Sequence, residues 1–325
     1  MKQKKLKQKG PGKWFRKGIS LPELIRLLPD DPTSERWFAD IRWPDGPVCP
    51  HCASRNVLVG CAHPSMPYRC RPCDKRFSVR TGSVMADSKL GYQTWALAIY
   101  LFSTCIKGIS SMKLHRELGL SQKSAWHLGH RLRAGFAQPG GLFAGPVEVD
   151  EVYIGGKERN KHASKKLRAG RGPVGKQPVV GARDRASGAV SAQPVAAPSK
   201  PELQGFVQAH AQPGAQVHTD EASAYADMPA FVHEAVNHSG GEYARGTVHT
   251  NSIESFWALF KRGYYGTYHH MSVQHLRRYL AEFSGRHNVR SADTAEQMRQ
   301  LARGLVGPAL PWKLLAGRAG RLATA

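Results

Sequence analysis

Two sets of residues in this 325-residue chain have the types and spacing to do chemistry. The first is four cysteines in two pairs, Cys49-Pro-His-Cys52 and Cys70-Arg-Pro-Cys73. Each pair presents two thiolates from one tight turn, and two such turns close a tetrahedral Zn²⁺ site. The gap between the pairs falls within the ~15–20 residues typical of zinc ribbons, whereas thioredoxin-like redox chemistry needs only one pair. One structural zinc ion is the expectation. Cys61, His51 and His63 are spare, and Cys105 reads as a core thiol.

The second set is three acids: Asp150 inside VEVDEVYI (147–154), Asp220 ending AQVHTD (215–220), and Glu254 near the start of TNSIESFWALFKRGYYGTYHH (250–270). A carboxylate on an apolar strand is costly unless a cation or hydrogen-bond donors compensate it. Carboxylates converging from two strand ends and a helix are what a two-metal phosphoryl-transfer site needs, its ions roughly 3.5–4 Å apart. Hard Mg²⁺ or Mn²⁺ prefers such oxygen ligands. Lys261 falls two turns beyond Glu254 on nearly the same side, roughly 10 Å along the axis, where it could hold a phosphate. Asn251 and Glu254 also have the spacing of a capping box, a purely structural use for that acid.

The partner is legible in the charge. With 47 Lys+Arg against 24 Asp+Glu, the formal net charge is +23, which favours a polyanion, most simply nucleic acid. A hydrophobic content of 41% argues against wholesale disorder. No run reaches the ~18–20 apolar residues of a membrane span, and the charged N-terminus lacks the apolar segment of a secretory signal. A cytoplasmic protein, associated with the nucleoid when bound to DNA, is expected.

The elements that must position these residues follow from local pattern. Residues 1–19 have the composition of a flexible basic arm, and 20–42 carry a helical pattern opened by a Ser20–Glu23 capping signature. The ribbon should occupy 43–81. Helices return over 89–136, where Gly119 suits the left-handed end of one helix and Ser121 the N-cap of the next. That second helix would display Lys123, His127, His130, Arg131 and Arg133, as a DNA-reading helix-turn-helix does, although an ordinary helical hairpin that only packs fits the same pattern. QPGG (138–141) marks a boundary, after which strands at 147–154, 177–185 and 188–195, a helix at 200–211, a strand at 215–220 and helices at 251–262 and 272–288 form an α/β block. The stretch 155–177 reads as mobile until it meets a polyanion. Alternation along 147–154 turns Glu148 and Asp150 to one face and Val147, Val149 and Glu151 to the other.

The combination CPHC…CRPCDKRFSVRTGSVM, VEVDEVYIGGK, HTDEASAY and HTNSIESFWALFKRGYYGTYHH resembles the bacterial insertion-sequence transposases that join a zinc ribbon to a ribonuclease-H-like DDE domain, the ISXO-like group. The matching segments run in the family's order over roughly 20–290. The resemblance implies a mixed sheet flanked by helices over 142–290, followed by a C-terminal extension, 291–325. It also implies Asp150, Asp220 and Glu254 as the catalytic acids holding two Mg²⁺ or Mn²⁺ ions, and Lys261 as the basic residue of the signature. DNA transposition is the implied activity, with double-stranded terminal repeats and target DNA as partners and protomers that assemble on the two ends. Glu148, Glu151 and Glu221 receive no catalytic role from it. Two other readings share these residues: a zinc-ribbon DNA-binding regulator with inactive carboxylates, and a nuclease that cuts without joining.

Overall fold

A computed structural model describes residues 18–136, 141–167, 172–237, 240–242 and 244–317. The basic arm expected at 1–19 and the QPGG boundary lie almost wholly outside these residues. The chain divides into two compact units, one formed by residues 1–136 with 289–325 and the other by 137–288.

In the first unit, the helical pattern at 20–42 is two helices, α1 (Leu21–Leu27) and α2 (Asp31–Arg42). The capping box forms: Ser20 Oγ accepts from the Glu23 N–H, and Glu23 Oε2 accepts from the Ser20 N–H at 2.6 Å. The break between them is local in origin. A residue before proline disfavours helical backbone, so Leu28-Pro29 ends α1. Asp30 then caps α2, accepting from the Thr33 N–H at 2.7 Å.

Three short antiparallel strands follow, β1 (Val57–Val59), β2 (Tyr68–Cys70) and β3 (Arg76–Phe77). Beyond them come α3 (Tyr92–Thr104), α4 (Ser111–Leu118) and α5 (Gln122–Gly135). Between α4 and α5, Gly119 takes φ 62° and Ser121 accepts from the Ser124 N–H, as the local pattern predicts. The surface expected of α5 is different. His130, Arg131 and Arg133 are buried, and only the first turn, Gln122 to Ser124, is well exposed. The reason lies far off in sequence. Arg131 donates to the Leu310 and Ala86 carbonyls, the His127 ring contacts Leu310 O at 2.8 Å, and Lys123 lies 4.7 Å from the Trp312 ring centroid. The C-terminal residues thus cover most of the basic face that α5 has in isolation.

The second unit is a five-stranded sheet. Its strands are β4 (Val147–Ile154), β5 (Gln177–Asp184), β6 (Val190–Pro194), β7 (Gln216–Asp220) and β8 (Val232–Val236), in spatial order β6-β5-β4-β7-β8. The first three are antiparallel neighbours, and β7 and β8 join parallel. This is a ribonuclease-H-like α/β arrangement, as expected. The edge strand β8 carries no clear apolar alternation and is not evident from the sequence. One face of the sheet is covered by α6 (Lys200–His210), whose Leu203, Phe206 and Val207 pack with Val147 and Val149. The other is covered by α7 (Asn251–Gly263) and α8 (Val273–Asn288), through Ile253, Phe256, Trp257, Phe260, Leu280 and Phe283. Between β4 and β5, residues 158–160 and 163–165 form single 3₁₀ turns, with a Lys161–Glu158 ion pair, rather than unstructured chain.

The chain then returns to the first unit with α9 (Thr294–Gly304) and α10 (Trp312–Ala316). Met298, Leu301 and Leu305 complete the helical core around Trp95, Phe102 and Leu128.

Candidate active site and metal centre

The site starts with the alternation of β4. Its even positions face α7, since Val152 and Ile154 pack with Ile253 and Trp257, and its odd positions face α6. Asp150 therefore points to the α7 side, while Glu151 points away and accepts from the Tyr225 hydroxyl at 2.8 Å. The parallel β4–β7 register pairs Val147 with Val217 and Glu148 with His218. Continued two residues further, it brings Asp150 level with Asp220.

The third acid arrives by packing. Asp150 pairs across the sheet with Gly181, and a Cβ at that glycine would come within 2.6 Å of the Trp257 ring. Glycine at this place lets α7 lie directly on the sheet beside Asp150. The capping box expected between Asn251 and Glu254 does not form. Thr250 is the N-cap, and its hydroxyl donates to Glu254 Oε1 at 3.0 Å.

A different acid caps this helix. Glu148, fully buried, accepts from the Ser252 and Ile253 N–H groups at 2.8 and 2.9 Å, satisfying two of the helix's unpaired donors. Its other oxygen accepts from Arg185 Nε at 2.6 Å. Arg185 also donates to the Thr247 and His249 carbonyls, so one guanidinium ties β4 to the segment entering α7. Sequence reasoning left Glu148 without a role. The signal was present, since the strand carries a second acid on the same face as Asp150 and with no visible partner nearby.

These placements converge electrostatically on Asp150, whose carboxyl is pushed up to about 7. Burial is the main cause, followed by the charges of Glu151 and Asp220, with Glu254 adding to them. Glu151 is raised as well, by burial and then by Asp220. Below the site His218 is buried, and burial followed by the Arg185 charge lowers its pKa, which keeps the imidazole neutral.

A consequence for stability follows. Asp150 holds its proton more tightly folded than unfolded, so its contribution is fully present below its ordinary pKa of 3.8 and is lost as pH rises through about 7. In chelator, Asp150→Asn is expected to melt above wild type by roughly 5 °C near pH 8, with a smaller advantage near pH 5. Melting curves at both pH values check this, and an advantage independent of pH would refute it. Glu148→Ala should have the opposite sign, because it leaves two helix donors and Arg185 Nε without their acceptor. Removing one member of a buried pair costs about 3–5 kcal/mol, so Tm should fall by roughly 10 °C. A fall of under about 2 °C would mean that α7 is held without it.

The cysteines form a second centre. The four Sγ atoms all lie within 4.8 Å of one another, with Cys49 to Cys73 at 3.7 Å and Cys52 to Cys70 at 3.5 Å. A tetrahedron with Zn–S bonds of ~2.3 Å has edges of ~3.8 Å, so the cluster fits one zinc ion. Both knuckles turn alike: the residue after each second cysteine, Ala53 and Asp74, takes φ 60° and 59°.

Residues 143–288 match the sequence profile of the ISXO2-like transposase domain, and residues 29–76 match that of a transposase zinc-ribbon domain. A Halobacterium salinarum protein described as an uncharacterized protein in transposable element ISH50 is 31% identical over 277 residues, which is 82% of this chain and 93% of that protein. The chain belongs to the ISXO2-like insertion-sequence transposases.

The matched catalytic segment of this transposase contains β4 through α8, hence all three acids, Lys261 and the Glu148–Arg185 clamp. The ribbon segment contains all four cysteines and also α2. Lys261 is exposed on α7. Among the described residues no helix is long and apolar enough to cross a membrane.

Proposed function

We propose that this transposase cuts and joins DNA at a site formed by Asp150, Asp220 and Glu254. The observation that carries the reading is the convergence of like charge on Asp150 from two neighbouring strands and α7. A chain with net charge +23 that sets half-buried Asp150 in the field of Asp220 and Glu254 creates a cost that a divalent cation removes. All three donors are carboxylates, which suit Mg²⁺ or Mn²⁺. Two such ions, when bound, would polarise the scissile phosphate and stabilise charge on the attacking and leaving oxygens.

The chain's own residues supply position. β4 and β7 hold Asp150 and Asp220 on a stiff sheet, and the Glu148 cap fixes the helix that carries Glu254. Lys261 contacts a phosphate of the bound strand. Hydrolysis at the element's ends leaves 3′-hydroxyls, which then attack target phosphodiesters in line. No covalent protein intermediate is needed, so no nucleophilic Ser or Tyr is required. The zinc ribbon and the exposed first turn of α5 bind the terminal inverted repeats, with strong salt dependence, and protomers pair to hold two ends together. The protein acts in the cytoplasm, on the nucleoid.

The test uses full-length protein and duplexes copied from the DNA flanking the gene. With Mg²⁺ a labelled end should become covalently joined to target DNA, and chelation should stop it. Cleavage without joining would favour the nuclease reading. Binding without either reaction would favour the regulator.

A further inference from the structure

The solvent face of α7 continues past Lys261 in a way the reaction above does not use. Positions 254, 258, 261 and 265 recur at helical spacing, and Glu254, Ala258, Lys261 and Tyr265 are all exposed. The stripe begins with an acid at the site and then carries Lys261, with the exposed Arg262 beside it. It ends at a tyrosine that is 53% exposed, while the neighbouring Tyr264 is only 3% exposed.

The backbone there is unusual. Residues Tyr264–Tyr268 form a π-helical turn, closed by the His269 N–H donating to Tyr264 O at 2.7 Å, and His269 ends it at φ 58°. Such turns are rare and occur frequently at functional sites. This one is held from within. Tyr268 donates to both oxygens of Glu282, at 2.9 and 3.2 Å, and the buried Arg286 pairs with the same carboxylate. Tyr264 and Tyr268 anchor the turn while Tyr265 is turned outward. Gly266 follows it, with open space where a side chain would be. The Tyr265 ring, exposed and set edge-on to Tyr264 with ring centroids 5.1 Å apart, lies roughly 16 Å along the helix axis from Glu254.

We infer that Tyr265 is a stacking platform for an unpaired base of the DNA strand whose scissile phosphate lies at the acids. The inference rests on the strand-cutting reading above. Charge complementarity selects the occupant, since the two cations between Glu254 and Tyr265 track a phosphate backbone leading away from the site. An aromatic ring accepts any base by its π-face, so the platform would position the strand without reading its sequence. A duplex offers no base face at its side, so the stacked nucleotide must be unpaired, as at a frayed or newly cut end.

The experiment places 2-aminopurine singly at successive positions next to the cut point in the flank duplexes and measures its fluorescence with full-length protein. Wild type should quench the probe at one position. Tyr265→Ala should lose that quenching and slow joining by roughly tenfold or more, the value of one stacked base, while Tyr265→Phe and Tyr265→Trp keep both. Unchanged quenching and joining in Tyr265→Ala, with wild type active, would overturn the platform and leave the transposase chemistry standing. A Tyr265→Phe variant as defective as Tyr265→Ala would also overturn it, by assigning the effect to the hydroxyl. Failure of wild type to bind or cut these duplexes would overturn both.

Discussion

Replacing Asp220 by asparagine is expected to lower strand joining by roughly 10³-fold or more while leaving DNA binding within about twofold. The substitution keeps the shape of the side chain and an oxygen that can still accept from the Ala222 N–H, the contact Asp220 makes at 3.1 Å. It removes only the charge. Asp220 lies at the end of β7, half-buried, so the sheet does not depend on its ionisation. If the acids hold the cations that drive the reaction, loss of one negative ligand weakens those ions where charge develops in the transition state. The same change relieves like-charge crowding at Asp150, so the metal-free variant should fold at least as well as wild type. Gel-shift and joining assays on one preparation separate the two properties. Joining at the wild-type rate would remove Asp220 from the site, and equal loss of binding would assign it to DNA contact.

Removal of zinc should have an effect of similar size on the other unit. The buried apolar cluster of the ribbon consists of Cys49, Cys70 and Phe77, flanked by partly buried Trp43, Val57, Tyr68 and Cys73. Two of its three fully buried members are themselves metal ligands, so little core remains once the thiolates separate. A segment of this length without a larger core needs a staple, and a structural zinc supplies about 10–16 kcal/mol in zinc-finger peptides. Cys70→Ser, at a fully buried ligand, should abolish the one equivalent of zinc per chain. The near-ultraviolet signal of the Trp43, Tyr68 and Phe77 ring cluster should be lost with it. Metal analysis and circular dichroism check both, and a ribbon spectrum that survives chelation would show that the rings alone hold the strands. Binding to the flank duplexes should fall as well, since the ribbon is proposed to contact them.

What the sequence by itself determined is what depends on near neighbours. Ser20 and Glu23 are three residues apart, Gly119 and Ser121 terminate and start helices with their own backbone and hydroxyl, and each C-x-x-C knuckle is one turn. The alternation of β4 told which acids share a face because side chains on a strand alternate whatever surrounds them. Even the break at Pro29 and the Asp293 cap of α9, which accepts from the Glu296 N–H, are local signals open to a closer reading. Tertiary structure alone decided which charged groups meet. The partners of Glu148 lie 37 and more than 100 residues away, and no spacing rule links an acid on β4 to the first turn of α7. Arg131 looked like a surface cation because its helix carries no partner for it, while its acceptors are Ala86 and Leu310, 45 and 179 residues distant. A buried charge persists only where the fold supplies partners, and those partners come from whichever segments the packing brings together. Local pattern therefore located the candidate acids, and the folded chain determined which of them share a field and which one holds the helix in place.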